Sequence, residues 1–254
     1  MANFLLVHGA WHGAWCWRDV LPGLIAAGHR AHAVTLTGVG ERSHLLDASI
    51  TLETHIQDVQ QALQAEELEP AILVGHSYAG MLITAVANQH PEALAHLVYL
   101  DAVVPNPGEA WGDAHAPATR EARLDAARVS PANTIPPPDP AVFGLQGAAH
   151  AWVQRRQTPH PAQPYSAALQ FDARRVAGVP RTFVSCTQPT LATIDPIRAR
   201  VVDSAFWDGA WLPGSRFVEL PAGHDPMVSA PSLLLQLLLE TAAGTTLPAR
   251  AAPA

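Results

Sequence analysis

The chain has 254 residues, of which 48% are hydrophobic and 15% are charged, a composition typical of a globular protein with a well-buried core. Its net charge of −7 argues against nucleic acid and anionic membranes as partners, because both recruit clustered Lys and Arg. All 15 basic residues are Arg, and the lack of Lys excludes Schiff-base chemistry, a pyridoxal phosphate anchor and a P-loop. We therefore expect a protein that works without a cofactor.

The N-terminal residues "MANFLLVHGA" enter a strand-like run directly, without the basic n-region of a secretory signal. No run approaches the roughly 18 apolar residues that a membrane span needs. These features predict a soluble, cytoplasmic protein, and they leave the oligomeric state open. Cys16 and Cys186 are too few for a disulfide framework or a metal site, and we expect two buried free thiols.

Short apolar runs alternate with amphipathic segments along the first hundred residues, as in a parallel sheet covered by helices. Strands are predicted over residues 4–9, 30–36, 71–76 and 96–102. Helices are predicted around residues 18–27, after Thr51, which can cap its helix, and over "MLITAVANQH".

Residues 104–178 interrupt this alternation, because stretches such as "NTIPPPDP" contain too many prolines for a continuous helix or a central strand. We interpret this segment as an insertion of short helices and loops that forms a lid. Two more strands (181–186 and 216–220) and a closing helix capped by Ser229 follow. The prediction is thus a core of residues 1–103 and 179–244, an inserted lid of residues 104–178, and a disordered tail of residues 245–254.

The stretch "LVGHSYAG" places Ser77 between a buried strand and a helix. This strand–turn–helix context is the one required of a nucleophile elbow, whose small flanking residues let strand and helix approach. Gly75 fits the G-x-S-x-G pattern, whereas Ala79 at the fifth position departs from it and Gly80 follows. The sequence therefore predicts Ser77 as a nucleophile, with helix capping as the alternative role.

A serine nucleophile needs a base, and His224 follows the last predicted strand in "LPAGHDPM", where it could take that role. The polar or Pro-rich surroundings of seven other histidines predict that they are solvated: His29, His44, His55, His90, His115, His150 and His160. His8 and His12 bracket a loop without a neighbouring carboxylate, and we predict no metal site. The backbone N–H groups of Ala10 and Tyr78 are the expected oxyanion hole, with Gly9 allowing close approach of the backbone.

The stretches "FLLVHGAWHGAWCWRDVLPGLIAAGHR", "GHSYAG" and "LVYLDAVVP" resemble the α/β-hydrolase superfamily. More narrowly they resemble the branch of plant methyl esterases, (S)-hydroxynitrile lyases and related bacterial esterases. The resemblance implies an α/β-hydrolase fold with a mostly parallel central sheet, helices on both sides, and the inserted lid. It implies a triad of serine, acid and histidine. The lyases carry a Lys after the catalytic histidine, whereas this chain has Asp225 there, so lyase chemistry is not favoured.

The resemblance also exposes a missing acid. In the plant esterases the acid follows the strand that matches "RTFVSC", but here Gln188 and Pro189 occupy that turn. We favour Asp101, which ends the fourth predicted strand and should face the same crevice, because the carboxyl ends of parallel strands share one edge. Asp195 is the second choice. Asp203, Asp225 and a site without an acid remain open.

Aromatic residues beside the oxyanion loop and in the lid suggest an apolar pocket, formed by Trp11, Trp111 and Trp152. The interpretation is a carboxylic-ester hydrolase that acts on a small, largely apolar ester through an acyl-enzyme on Ser77. A protein that only binds a small molecule, and an enzyme that hydrolyses a lactone or an amide, are the alternatives.

Overall fold

The structure is a computed structural model and describes residues 1–245. Six strands form its main sheet: β1 (Asn3–Val7), β2 (Arg30–Val34), β3 (Ala71–His76), β4 (Leu94–Leu100), β7 (Arg181–Cys186) and β8 (Ser215–Leu220). Their order is β2-β1-β3-β4-β7-β8, and every neighbouring pair is parallel. Two short strands, β5 (Thr134–Ile135) and β6 (His160–Pro161), pair antiparallel outside this sheet.

Ten α-helices occur among the described residues: α1 (Leu21–Ala26), α2 (Leu52–Ala65), α3 (Ala79–Gln89), α4 (Pro117–Val129), α5 (Gly147–Gln154), α6 (Gln163–Ser166), α7 (Ala173–Ala177), α8 (Asp195–Arg200), α9 (Pro226–Ser229) and α10 (Pro231–Gly244). Thr51 caps α2 as predicted, by accepting from the Thr54 N–H. The predicted cap of the closing helix by Ser229 is wrong. Ser229 ends the short α9, and α10 starts at Pro231, whose fixed φ suits the first position of a helix.

Two apolar layers cover the sheet, because successive side chains of a strand point to opposite faces. On β1, Leu5 and Val7 belong to the layer that also holds the buried faces of α2 and α3. Phe4 and Leu6 point to the other layer, which includes buried residues of α1 and α10. Burial on both faces explains why the central strands read as continuous apolar runs.

The inserted segment, residues 104–178, leaves the sheet after β4 and returns before β7. It holds α4 to α7 with β5 and β6, and it packs over the carboxyl edge of the sheet. The Trp11 carbonyl accepts from Thr158 N–H (3.0 Å), and the Phe143 carbonyl accepts from His224 N–H (3.0 Å). The loops after β1 and β8 are therefore both attached to this segment.

The tail predicted from residue 245 onward lies, except for Thr245, outside the described residues. Among residues 1–245, no helix has both the length and the apolar character that crossing a bilayer requires.

Candidate active site

Ser77 lies in the tight turn between β3 and α3. Its φ of 55° falls in the left-handed region, which non-Gly residues rarely adopt and which is common at functional sites. Main-chain hydrogen bonds hold this conformation: Ser77 N–H donates to Leu100 (3.2 Å), and the Ser77 carbonyl accepts from Gly80 (3.1 Å) and Val103 (3.0 Å). The turn is therefore anchored to the end of β4 as well as to its own helix.

Two glycines flank the turn because no side chain fits there. A Cβ on Gly75 would lie 2.8 Å from Ile83 Cγ2, and a Cβ on Gly80 would lie 1.8 Å from the Val103 carbonyl oxygen. The closest backbone approach thus falls on Gly80, one residue after the fifth position of the motif. This explains why Ala79 is compatible with the turn.

The structure brings Ser77, His224 and Asp101 together in one hydrogen-bonded line. Ser77 Oγ lies 3.0 Å from His224 Nε2, and His224 Nδ1 lies 2.7 Å from Asp101 Oδ2. His224 and Asp101 are buried, with exposed fractions of 2% and 0%. With Nδ1–H donating to the carboxylate, Nε2 is free to accept the serine proton.

Asp101 follows β4 with a φ of 43°, again in the left-handed region. Its second oxygen, Oδ1, accepts from Arg198 Nη2 (2.7 Å) and from Cys186 N–H (3.2 Å). Arg198 is itself fixed, because it also donates to the Ser185 hydroxyl and the Leu191 carbonyl, each at 3.0 Å. These donors supply the charge and hydrogen bonds that a buried carboxylate needs.

The other acids that the sequence left open lie elsewhere. Asp195 has a side chain that is 58% exposed and pairs with Arg198 Nη1 at 2.6 Å. Asp203 accepts from the N–H of Ala205 in a local turn. At the end of β7, Gln188 N–H donates to the Ala222 carbonyl (3.0 Å), so this turn pairs with the segment after β8.

Asp225 forms a buried pair with His12 across the two loops of the site. His12 Nε2 lies 3.1 Å from Asp225 Oδ2, and His12 Nδ1 lies 2.8 Å from the Ala10 carbonyl. Both partners only accept hydrogen bonds, so both ring nitrogens must carry protons. Burial lowers the pKa of His12, but the charge and hydrogen bond of Asp225 outweigh it, so the pKa is raised above 6.5. Burial opposes the ionised form of Asp225, yet His12 and the neighbouring histidines hold its pKa at about 2.

His76 lies beside this pair, and its Nε2 is 2.8 Å from the His224 carbonyl oxygen. Burial, followed by the nearby His224, lowers the pKa of His76 to about 3, so its ring is neutral and donates through Nε2. Potential ligand atoms of His76, His224 and Asp225 lie within 4.8 Å of one another. A metal bound there through the ring of His224 would have to displace the contact with Ser77 or with Asp101.

The two N–H groups predicted to form an oxyanion hole, those of Ala10 and Tyr78, have no acceptor among residues 1–245. Gly9 lies against the nucleophile turn, where a Cβ would come 2.8 Å from Ser77 Cβ and 2.9 Å from His76 Nδ1. The loop after β1 can therefore approach Ser77 only with glycine at this position.

A cavity of about 190 Å³ contains both Ser77 and His224. Trp11 and Trp111 both line it, with ring centroids 5.8 Å apart. Most of its lining is apolar: Trp11, Trp111, Pro138, Val142, Phe143, Leu191 and Ile194. The prediction for Trp152 is wrong, because Trp152 does not line this cavity; its ring lies under the Arg18 guanidinium (4.0 Å) and makes an edge-to-face contact with Trp15.

Three histidines that the sequence predicted to be solvated are buried: His55, His115 and His160. His55 contacts the Tyr78 hydroxyl (3.1 Å) and the Thr37 carbonyl (2.9 Å). Burial and neighbouring charges lower the pKa of His160 well below 6.5. Their sequence neighbours are polar, and it is the packing of the inserted segment against the sheet edge that buries them.

The sequence did not reveal how several residues support the site, although it did mark Asp225 as a possible acid and His12 as a possible metal ligand. Asp225 directly follows His224, and His12 belongs to "HGAWHGAW", so their proximity to the site gave a usable signal. The sequence gave no signal for Arg198, because this residue lies on a helix 97 positions after Asp101, the carboxylate that it contacts. Arg123 and Phe143 lie in the inserted segment, where the sequence did not define which face points inward.

A parallel sheet with a serine at the β3 turn, a histidine after β8 and an aspartate after β4 is the arrangement of an α/β hydrolase. The model of the alpha/beta hydrolase family matches residues 4–237. The chain therefore belongs to the alpha/beta hydrolase family.

Individual relatives indicate which kind of alpha/beta hydrolase the chain is similar to. The chain is 40% identical over 246 residues to a carbendazim hydrolyzing esterase of Nocardioides sp. (strain SG-4G), covering 94% of this chain and 98% of the relative. It is 29% identical over 260 residues to methylesterase 7 of Arabidopsis thaliana, covering 94% and 96%. These relationships support a carboxylesterase-type hydrolase.

Solved structures share the fold at lower identity. An extracellular alpha/beta-hydrolase from a Paenibacillus species superimposes with a TM-score of 0.77 at 21% identity, over 94% of this chain and 98% of that chain. The pyrethroid hydrolase PytH superimposes with a TM-score of 0.71 at 22% identity, over 96% and 98%.

Proposed function

We propose that this protein is a serine-dependent carboxylic-ester hydrolase that acts on a small, largely apolar ester through an acyl-enzyme intermediate. The observation that carries the proposal is the line from Ser77 Oγ through His224 to Asp101, with contacts of 3.0 and 2.7 Å, at the wall of an apolar cavity. The esterase that is 40% identical over nearly the whole chain supports the same reaction.

In the first half of the reaction, Ser77 Oγ attacks the ester carbonyl carbon while His224 Nε2 takes the hydroxyl proton. Asp101 stabilises the imidazolium that forms, and the N–H groups of Ala10 and Tyr78 donate to the oxyanion. The tetrahedral intermediate collapses when the carbon–oxygen bond to the alcohol breaks and His224 returns the proton to the leaving oxygen.

In the second half, His224 removes a proton from water, whose oxygen attacks the acyl carbon. The bond between that carbon and Ser77 Oγ then breaks, the acid is released, and His224 returns the proton to Ser77 Oγ. The N–H groups of Ala10 and Tyr78 are suited to the oxyanion because no described residue occupies them as an acceptor. His12 supports this loop by donating to the Ala10 carbonyl at 2.8 Å while its other nitrogen is held by Asp225.

Asp225 also argues against the lyase alternative. Its carboxylate is buried, engaged with His12, and next to the histidine where the lyases that this branch resembles carry a Lys. A site that must stabilise a departing anion such as cyanide is poorly served by an anion there.

Carbendazim is a further candidate substrate, because the relative at 40% identity is an esterase that hydrolyses it.

Turnover of p-nitrophenyl acetate, together with labelling by a fluorophosphonate probe, tests the proposal. We expect steady-state release of p-nitrophenol and a single covalent label on the peptide that contains Ser77. Ser77→Ala should lose both signals and keep its circular dichroism spectrum. A protein that only binds small molecules would show neither turnover nor label, and that result would reject the proposal.

A further inference from the structure

The cavity that contains Ser77 and His224 is apolar on most of its surface but includes one guanidinium group, that of Arg123 on α4. Arg123 also lines a second cavity of about 530 Å³ between α4 and the prolines at positions 136–138. Trp11 and Pro138 line both spaces as well. The Arg123 guanidinium therefore lies at the boundary between the inner cavity of about 190 Å³, which contains Ser77, and the outer cavity of about 530 Å³.

Arg123 has no carboxylate within ion-pair distance among residues 1–245. Six other arginines do have one: Arg18, Arg42, Arg120, Arg128, Arg198 and Arg200. Arg123 Nη1 donates to His115 Nε2 at 3.2 Å. That acceptor is uncharged, because burial and then the Arg123 charge lower the pKa of His115 to about 3.

Three aromatic rings surround the guanidinium, and the hydroxyl of one of them, Tyr165, also interacts with its N–H groups. Its central carbon lies 5.2 Å from the ring centroid of Trp11, 5.7 Å from that of Trp111 and 5.6 Å from that of Tyr165. Such cation–π contacts stabilise the charge but do not themselves use the hydrogen-bond donors of the fork.

The buried Arg181 on β7 shows what a purely structural arginine looks like in this fold. It also has no carboxylate partner within residues 1–245, but it donates to five main-chain carbonyl groups, those of Ala177, Val179, Ala210, Trp211 and Pro213. Arg123 has only two neutral acceptors among residues 1–245, the ring of His115 and the hydroxyl of Tyr165, and it faces a cavity instead. Its planar fork matches a carboxylate, which it can bind through two parallel hydrogen bonds.

We propose that Arg123 is a specificity residue that binds a carboxylate group carried by the ester substrate, away from the bond that is cleaved. The protein would then prefer monoanionic esters whose charged group reaches from Ser77 to α4. This inference rests on the proposed ester hydrolysis at Ser77 and adds the class of ester. The apolar lining of the inner cavity would bind the carbon chain between the two polar ends.

Two series of esters test the proposal, because the charged group could belong to either half of the ester. The acyl series compares the monomethyl esters of adipic, pimelic and suberic acid with methyl hexanoate, heptanoate and octanoate. The alcohol series compares acetylated ω-hydroxy acids with alkyl acetates of the same chain length. Initial rates of acid release, measured in a pH-stat, give kcat/KM for each charged and neutral pair.

We expect at least one anionic ester to exceed its neutral counterpart by roughly 10- to 100-fold in kcat/KM, the range of a charge-assisted hydrogen bond. Arg123→Gln should abolish this preference, so that the ratio of kcat/KM for each charged and neutral pair falls to about one. Turnover of neutral esters also shows that the variant is folded. Arg120→Gln is the matched control, because it removes a charge three residues earlier on α4 that pairs with Asp113.

The proposal is overturned if no anionic ester in either series is preferred, or if Arg123→Gln keeps the preference. It is also overturned if Arg120→Gln removes the preference to the same extent, since the effect would then come from the net charge of α4. Absence of hydrolysis for every ester, neutral ones included, would instead count against the proposed hydrolase function.

Discussion

Asp101→Asn is the substitution that bears most directly on how the histidine is activated. It preserves the size of the side chain but replaces one accepting oxygen with an NH2 donor. In the structure Oδ2 accepts from His224 Nδ1 at 2.7 Å, and Oδ1 accepts from Arg198 at 2.7 Å and from Cys186 N–H at 3.2 Å. An amide cannot replace both oxygens as acceptors.

Either orientation of the new amide impairs His224. If the NH2 group faces Nδ1, that nitrogen must accept, and the proton moves to Nε2, which then cannot take the Ser77 proton. If the NH2 group faces Arg198, two donors oppose each other and the negative charge that stabilises the imidazolium is lost. We expect kcat to fall by about 10³- to 10⁴-fold, or about 4–5.5 kcal/mol of transition-state stabilisation.

The assay is steady-state hydrolysis of p-nitrophenyl acetate at neutral pH, with circular dichroism and thermal unfolding to verify the fold. Asp195→Asn is the matched control, because Asp195 contacts the same arginine from a side chain that is 58% exposed. It should retain kcat within about threefold. A kcat for Asp101→Asn within fivefold of the wild type, or an equal loss in Asp195→Asn, would refute the assignment of the acid.

Three further predictions concern the residues that support the site. Arg198→Gln removes the charged donor from the triad carboxylate, and we expect kcat to fall by about tenfold with KM unchanged, measured on the same ester. Asp225→Asn should destabilise the protein most between about pH 4 and 6.5 in urea unfolding. The pKa of Asp225 is lowered from 3.8 to about 2 in the folded protein, so its contribution to the free energy of unfolding is lost as the pH falls from 3.8 through about 2. The pKa of His12 is raised above 6.5, so its contribution to the free energy of unfolding is lost as the pH rises above 6.5 and through that raised pKa. Gly80→Ala should lower the free energy of unfolding by about 1–3 kcal/mol or more, because its Cβ would meet the Val103 carbonyl at 1.8 Å.

Each of these has an outcome that would count against it. Arg200→Gln removes an arginine paired with Glu109 instead, so a kcat loss equal to that of Arg198→Gln would point to a general effect of charge. A stability loss for Asp225→Asn that is constant from pH 5 to 9 would show that His12 is not its charged partner. Ala79→Gly should cost no more than about 1 kcal/mol, and a cost equal to that of Gly80→Ala would contradict the packing argument.

The central sheet could be predicted from the sequence because its signals are local. The apolar runs of β3 and β7 are bounded by residues that interrupt a strand, and both were predicted with their observed bounds of Ala71–His76 and Arg181–Cys186. The start of the last helix was misplaced because Ser229 is a good cap by type, whereas Pro231 sets the actual start.

The parts of the site that the sequence did not define depend on contacts over long separations. Strand order places Asp101 at the edge shared with Ser77, and this could be argued from topology. The donors on the far side of Asp101 come from α8, and no local pattern connects them. The inserted segment likewise lacks a regular period, so neither the burial of His160 nor the inward position of Arg123 could be read from it.

Trapping of the acyl-enzyme tests whether Ser77 is the nucleophile. A p-nitrophenyl ester is mixed with excess protein, quenched in acid within the first turnover, and the digested protein is analysed by mass spectrometry. We expect one acyl group on the Ser77 peptide, appearing with the burst of p-nitrophenol and absent in Ser77→Ala. Hydrolysis that proceeds without any acylated peptide, or an acyl group on another residue with Ser77→Ala still active, would contradict it.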